Sequence, residues 1–198
     1  MAKFNIEQKI SSAEPSIGRV KFIAIDGHGG SGKTTLATLL SEKFKAEVIH
    51  TDDFASWDNP SNWWPLVIKH IFEPISLGAE VLNYNRSSWE ENHKPEPVVN
   101  QPVADVMILE GVSSSRKEFR DFLSLSLYVD APKEICLERG INRDSQTSFG
   151  REELMQRWEK WFEQEELYIA RDKPKEYADI VVDGTRPFNQ QIELSKAP

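Results

Sequence analysis

Apolar positions along this chain follow two alternating rhythms. Residues 20–25 (VKFIAI) form a compact β-branched run stopped by Asp26-Gly27, the pattern of a strand buried on both faces. From Lys33 to Phe44 the period changes, and Leu36, Leu39, Leu40 and Phe44 make a helical stripe. Val48-Ile49 predicts a second short strand, residues 104–109 (ADVMIL) a third, residues 123–129 (LSLSLYV) a fourth and residues 178–182 (ADIVV) a last. Residues 132–141 read as a helix with proline near its start. Leu154, Trp158, Trp161, Phe162 and Ile169 share one side of a long helix over about 152–170, which assigns both tryptophans to packing. Residues 62–77 read as helical, with Pro65 in the first turn and Pro74 as the exit. Strands alternating with helices predict an α/β fold with a mainly parallel sheet. Two segments fall outside the alternation. Residues 1–18 are polar and mixed and read as a leader outside the core, before one domain over 19–198. Residues 78–102 are proline-rich and read as loop with hairpin pieces at 80–84 and 97–100.

Composition narrows the function. The 198 residues suffice for one domain with its own core. Lys plus Arg number 24 and Asp plus Glu 32, a formal charge of −8, which argues against a nucleic-acid or membrane-surface partner. Cys136 is the only cysteine, so the chain has no internal disulfide and no thiolate cluster. The first ten residues lack the apolar stretch of a signal peptide, and no run is long enough to span a membrane.

The strongest chemical signal is Gly27-His28-Gly29-Gly30-Ser31-Gly32-Lys33-Thr34-Thr35, which satisfies G-x-x-x-x-G-K-S/T directly between a predicted strand and a predicted helix. Glycines let the backbone wrap a phosphate, and the helix N-terminus adds partial positive charge. Lys33 is expected at the β- and γ-phosphates of a nucleoside triphosphate and Thr34 on Mg²⁺. No guanine-reading Asn-Lys-x-Asp occurs, and the chain is too short for a helicase engine. A small-molecule kinase is the economical reading.

Acceptor chemistry is sought at the carboxyl ends of the other strands, which face the ligand crevice in such sheets. The second strand ends in Thr51-Asp52-Asp53-Phe54. Asp52 is the expected general base and a metal candidate, with Asp53 on the acceptor side; turn capping is the competing structural reading of the pair. Glu110, after four apolar residues, is a second metal candidate. Arg139 and Arg143 stand four apart on a predicted helix ahead of a lid over about 139–151. Arg139 is assigned to the nucleotide and Arg143 to the charge that spreads over a transferring phosphoryl group. Six tryptophans are present, four of them between Trp57 and Trp89. Trp57, Tyr84 and Trp89, with Arg86, are the expected acceptor contacts in a region spanning about 54–100. The site is expected to be a positive island built from Lys33, Arg139, Arg143 and loop amides, with the surplus acid largely elsewhere, as in Glu152, Glu153, Glu163, Glu165 and Glu166 on the long helix.

Taken together, GHGGSGKTT, TDDF, the Tyr84-Asn85-Arg86 segment, Leu109-Glu110-Gly111 and the Arg139–Asp144 segment resemble, in that order, the uridine kinase-like branch of P-loop kinases. Pantothenate kinase and phosphoribulokinase are relatives of that branch. The resemblance covers roughly residues 20–184. It implies a P-loop NTPase three-layer fold with five mainly parallel strands, ATP and Mg²⁺ use, and a cytoplasmic enzyme. By the family pattern an Asp-x-Phe after the second strand supplies the base, and Asp52 occupies that place. The family's Tyr-Asp-Phe segment matches here in Tyr84 but not at Asn85. The leading expectation is phosphoryl transfer to the hydroxyl of a nucleoside. The alternatives are a nucleoside monophosphate kinase, with Arg86, Arg116, Lys117 and Arg120 as added basic residues, and an ATP-dependent switch without an acceptor.

Overall fold

A computed structural model describes residues 5–56, 59, 62–87, 98–146 and 149–191. Five strands form one parallel sheet: β1 (Lys21–Asp26), β2 (Glu47–His50), β5 (Val106–Glu110), β6 (Leu125–Asp130) and β7 (Ile180–Asp183), in the order β2-β5-β1-β6-β7. Successive residues of β1 face opposite sides, and both sides are covered. Phe22 joins a core with Ile49, Met107, Leu109 and Phe72, while Ile23 and Ile25 join another with Leu36, Leu40, Ile108 and Leu127. That is why the run reads as continuously apolar rather than alternating. The register aligns Ile25 and His50 with Glu110, so three strands end together at one edge.

The flanking helices are α2 (Lys33–Phe44) after β1, α5 (Lys133–Asp144) after β6, then α6 (Arg151–Asp172) and the short α7 (Pro174–Tyr177). An antiparallel pair, β3 (Val81–Asn85) and β4 (Val98–Pro102), confirms the expected hairpin pieces. Among the described residues no helix is long and apolar enough to cross a membrane.

Two expectations change. The leader does not lie outside the core, because α1 (Ile6–Ser12), capped by the Asn5 side chain on Gln8 N–H, buries Ile6 and Ile10 in the second core. The two isoleucines stand four apart and so share one helix face, each worth about 1.5–3 kcal/mol when buried. Pro74 is not an exit either. The helix α3 (Trp64–Val67) continues through a π turn (Ile68–Phe72) into α4 (Glu73–Ser76), with Pro74 in the first turn of α4. A wider turn before proline accommodates the missing N–H and the ring without ending the helix.

Candidate active site

The loop between β1 and α2 is shaped by positions only glycine tolerates. Gly27 and Gly30 have φ of 139° and 78°. A Cβ on Gly27 would lie 2.4 Å from the Val129 carbonyl oxygen, and one on Gly30 would lie 2.2 Å from that of Cys136. Asp26 anchors the loop's first residue. Its carboxylate, 1% exposed, accepts from Gly27 N–H, from the N–H groups of Ser113 and Ser115, and from the hydroxyls of Ser115 and Tyr168. Burial beside that carboxylate pushes the Tyr168 phenol well above its ordinary pKa. Lys33 is buried, and its ammonium donates to the His28 carbonyl at 2.8 Å.

Across the edge, Glu110 accepts from Thr34 Oγ1 at 3.2 Å and pairs with His50 Nδ1 at 2.7 Å. Burial pulls the Glu110 carboxyl pKa up, but the His50 hydrogen bond and the Lys33 charge outweigh it and hold it below its ordinary value. The same bond to Glu110 raises His50. Asp52 opens to solvent at the rim of a cleft, yet the surrounding walls deprive its carboxyl of water and raise its pKa, partly offset by Lys33. The charges of Lys33, Glu110, His50 and Arg143 all act on Asp52.

The cleft encloses about 340 Å³. It is lined by Thr51, Asp52, Ala55 and Trp63, by Val112, Ser113 and Arg116, and by the α6 residues Trp161, Gln164, Glu165, Leu167, Tyr168 and Arg171. Trp161 therefore lines the cleft rather than serving packing alone, whereas Trp158 is a core residue packed with Cys136 and Phe162.

The acceptor side departs most from expectation. Asp53, Tyr84 and Arg86 do not line this cleft. Tyr84 sits at an inward position of β3, stacks on Phe54 with ring centres 5.0 Å apart, and donates to Asp53 at 3.1 Å. Arg86 pairs with the other Asp53 oxygen at 3.0 Å, so these three residues bind one another. Trp57 and Trp89 lie outside the described residues. Arg139 does reach the loop, donating to the carbonyls of Gly184 at 2.8 Å and Ser31 at 3.5 Å. Arg143 projects from the last turn of α5 and pairs with Asp144.

The site is also not simply a positive island. Glu165 is 2% exposed and bonded to the loop at His28 and Gly29 rather than solvated. The signal for it was present in the sequence, since on a helix Glu165 is flanked by Trp161, Phe162 and Tyr168 at spacings of three and four.

A parallel sheet with a phosphate loop after β1, and carboxylates at the ends of β2 and β5, defines a P-loop kinase. A family model described as Phosphoribulokinase / Uridine kinase family matches residues 77–189. The chain belongs to that family, and it is an ATP-dependent phosphotransferase acting on an alcohol group of a small molecule. A uridine kinase of Mannheimia succiniciproducens is 29% identical, the match covering 88% of this chain and 91% of that protein. A uridine kinase of Pectobacterium carotovorum is 25% identical, with 88% and 92% covered. A solved structure of a possible uridine kinase from Bacillus stearothermophilus shares the fold at a TM-score of 0.57 and 24% identity, covering 83% of this chain and 89% of that one.

Proposed function

We propose that the acceptor is a nucleoside of the uridine type, bound in the cleft between the strand edge and α6, and that Asp52 is its general base. The observation that carries this is the place of Asp52: at the rim of a cleft of small-ligand size, under the charges of Lys33 and Arg143. Asp52 takes the proton as the acceptor hydroxyl attacks the γ-phosphoryl group in line, Lys33 holds the β- and γ-phosphates, and Arg143 offsets charge on the equatorial oxygens. Residues Gly27 to Thr35 cradle the nucleotide, with Arg139 behind the loop.

Thr34 and Glu110 present oxygen donors 3.2 Å apart, a set that suits Mg²⁺ bound through one or two side chains, waters and substrate phosphates. Bound there, Mg²⁺ would supply charge neutralisation between the phosphates, and Asp52, whose carboxyl feels the Glu110 charge, is a further candidate to meet its waters.

An uncharged acceptor is favoured over a nucleoside monophosphate by the state of the two cleft arginines. Arg116 bonds Glu118 at 2.8 Å and Arg171 bonds Asp172 at 2.6 Å, so their charges are already balanced. ATP supply and a buried free thiol at Cys136 fit a cytoplasmic enzyme.

The test is ADP release by the purified chain with ATP and Mg²⁺ against nucleosides, nucleoside monophosphates, pantothenate and sugars. Uridine-dependent release is expected, and Asp52→Asn is expected to lower it roughly 10²–10⁴-fold while leaving nucleotide binding in place. A monophosphate outrunning its nucleoside sinks the acceptor assignment, and normal turnover by Asp52→Asn sinks the base.

A further inference from the structure

We propose that Glu165 is a positioning residue for Lys33, acting through His28, so that the long C-terminal helix sets the phosphate loop for nucleotide. This rests on the reading of the loop as the nucleotide site. The Glu165 carboxylate meets Gly29 N–H with both oxygens, at 3.1 and 3.3 Å, and His28 Nδ1 at 2.7 Å. A carboxylate only accepts, so Nδ1 carries the proton. The other ring nitrogen of His28 lies 3.6 Å from Glu166, and the ring packs beside Phe162 with centres 5.3 Å apart.

The His28 carbonyl completes the linkage. It accepts from Lys33 Nζ at 2.8 Å and from Ser31 N–H at 3.1 Å. Glu165 thus fixes one end of the His28 residue, and His28 fixes the ammonium that the nucleotide phosphates must meet. Nothing else in the loop explains a histidine here, because this position needs only a residue that fits. A carboxylate removed from water is costly unless it is fully bonded, and Glu165 meets that condition only with the loop in this shape. The dependence therefore runs both ways. Gly29 is part of the same fit, since a Cβ there would lie 2.9 Å from Trp158 and 3.0 Å from Glu165.

The test is calorimetric binding of ADP with Mg²⁺, and of a non-hydrolysable ATP analogue, to the full chain without acceptor. Glu165→Ala is expected to weaken both by roughly ten- to a hundredfold, the scale of losing charge-assisted hydrogen bonds. Glu165→Gln keeps an oxygen for Gly29 N–H and is expected to recover part of that loss. His28→Gln weakens binding as well, and the double variant Glu165→Gln/His28→Gln is expected to be no worse than the weaker single variant, because both act on one linkage. A folded Glu165→Ala binding within twofold of the unaltered chain overturns the inference, as do losses that add in the double variant. Should Glu165→Ala fail to fold, Glu165→Gln and the double variant decide the matter. An unaltered chain that bound neither nucleotide would overturn the kinase reading along with it.

Discussion

Replacing Asp26 by asparagine tests the anchoring of the loop most directly. Asp26 Oδ1 accepts Gly27 N–H at 2.7 Å and Ser113 N–H at 3.1 Å. Oδ2 accepts Ser115 N–H at 2.8 Å, Ser115 Oγ–H at 2.7 Å and Tyr168 Oη–H at 2.6 Å. Asparagine supplies an oxygen at only one of the two places. With its NH₂ toward Oδ1, two backbone donors face another donor. With its NH₂ toward Oδ2, the two hydroxyls turn to accept and only Ser115 N–H is orphaned, so this orientation wins. One orphaned buried donor costs about 1–3 kcal/mol, and the remaining bonds each lose about 1 kcal/mol of charge assistance. Over the four remaining bonds this comes to about 4 kcal/mol, so the expected destabilisation is about 5–7 kcal/mol. Tyr168→Phe removes a single bond to the charged group and is expected to cost about 1.5–3 kcal/mol. Urea unfolding followed by circular dichroism measures both as midpoint shifts at constant m-value. An Asp26→Asn variant within about 1 kcal/mol of the unaltered chain would refute the reasoning, as would Tyr168→Phe costing more than Asp26→Asn.

Two further outcomes follow from the geometry. A base must be ionised to act, and enclosure in the cleft raises the Asp52 pKa, so kcat/KM should fall on acidification through a limb displaced above the ordinary carboxyl value. The pH–rate profile checks this, and a limb at the ordinary value removes the role of enclosure. Gly140→Ala places a Cβ 2.2 Å from the Trp158 ring, so it should destabilise the α5–α6 contact by about 1–3 kcal/mol; an unchanged urea midpoint and tryptophan emission would contradict that packing.

What the sequence made legible is what is local. The phosphate loop was readable because its backbone path demands glycine at fixed places, and the strand-end residues Asp52 and Glu110 were readable because apolar runs stop at them. Arg143 was placed by helical spacing, and the structure sets its charge on Asp52. Tyr84 misled because an aromatic in a polar loop-like segment gives no sign of its register. In β3 it falls on the inward side, while Val81, Asn83 and Asn85 face out. Ile6 and Ile10 were too few to announce a core helix, and the π turn before Pro74 leaves no compositional trace. Glu165 was hidden by its own chemistry. A glutamate on a charged helix is normally solvated, and only the aromatic neighbours one turn away marked this one as turned inward.

The anchoring of the loop has a consequence for synthesis. The glycine-rich motif ends at Thr35, but Glu165 and Tyr168 lie 136 and 142 positions beyond their partners Gly29 and Asp26. Contacts that distant close late, after much of the sheet between them can pair. A growing chain carries the motif long before it has the scaffold that shapes it. On the proposed role of Glu165, competence to hold nucleotide therefore waits on the segment that carries Glu165 and Tyr168.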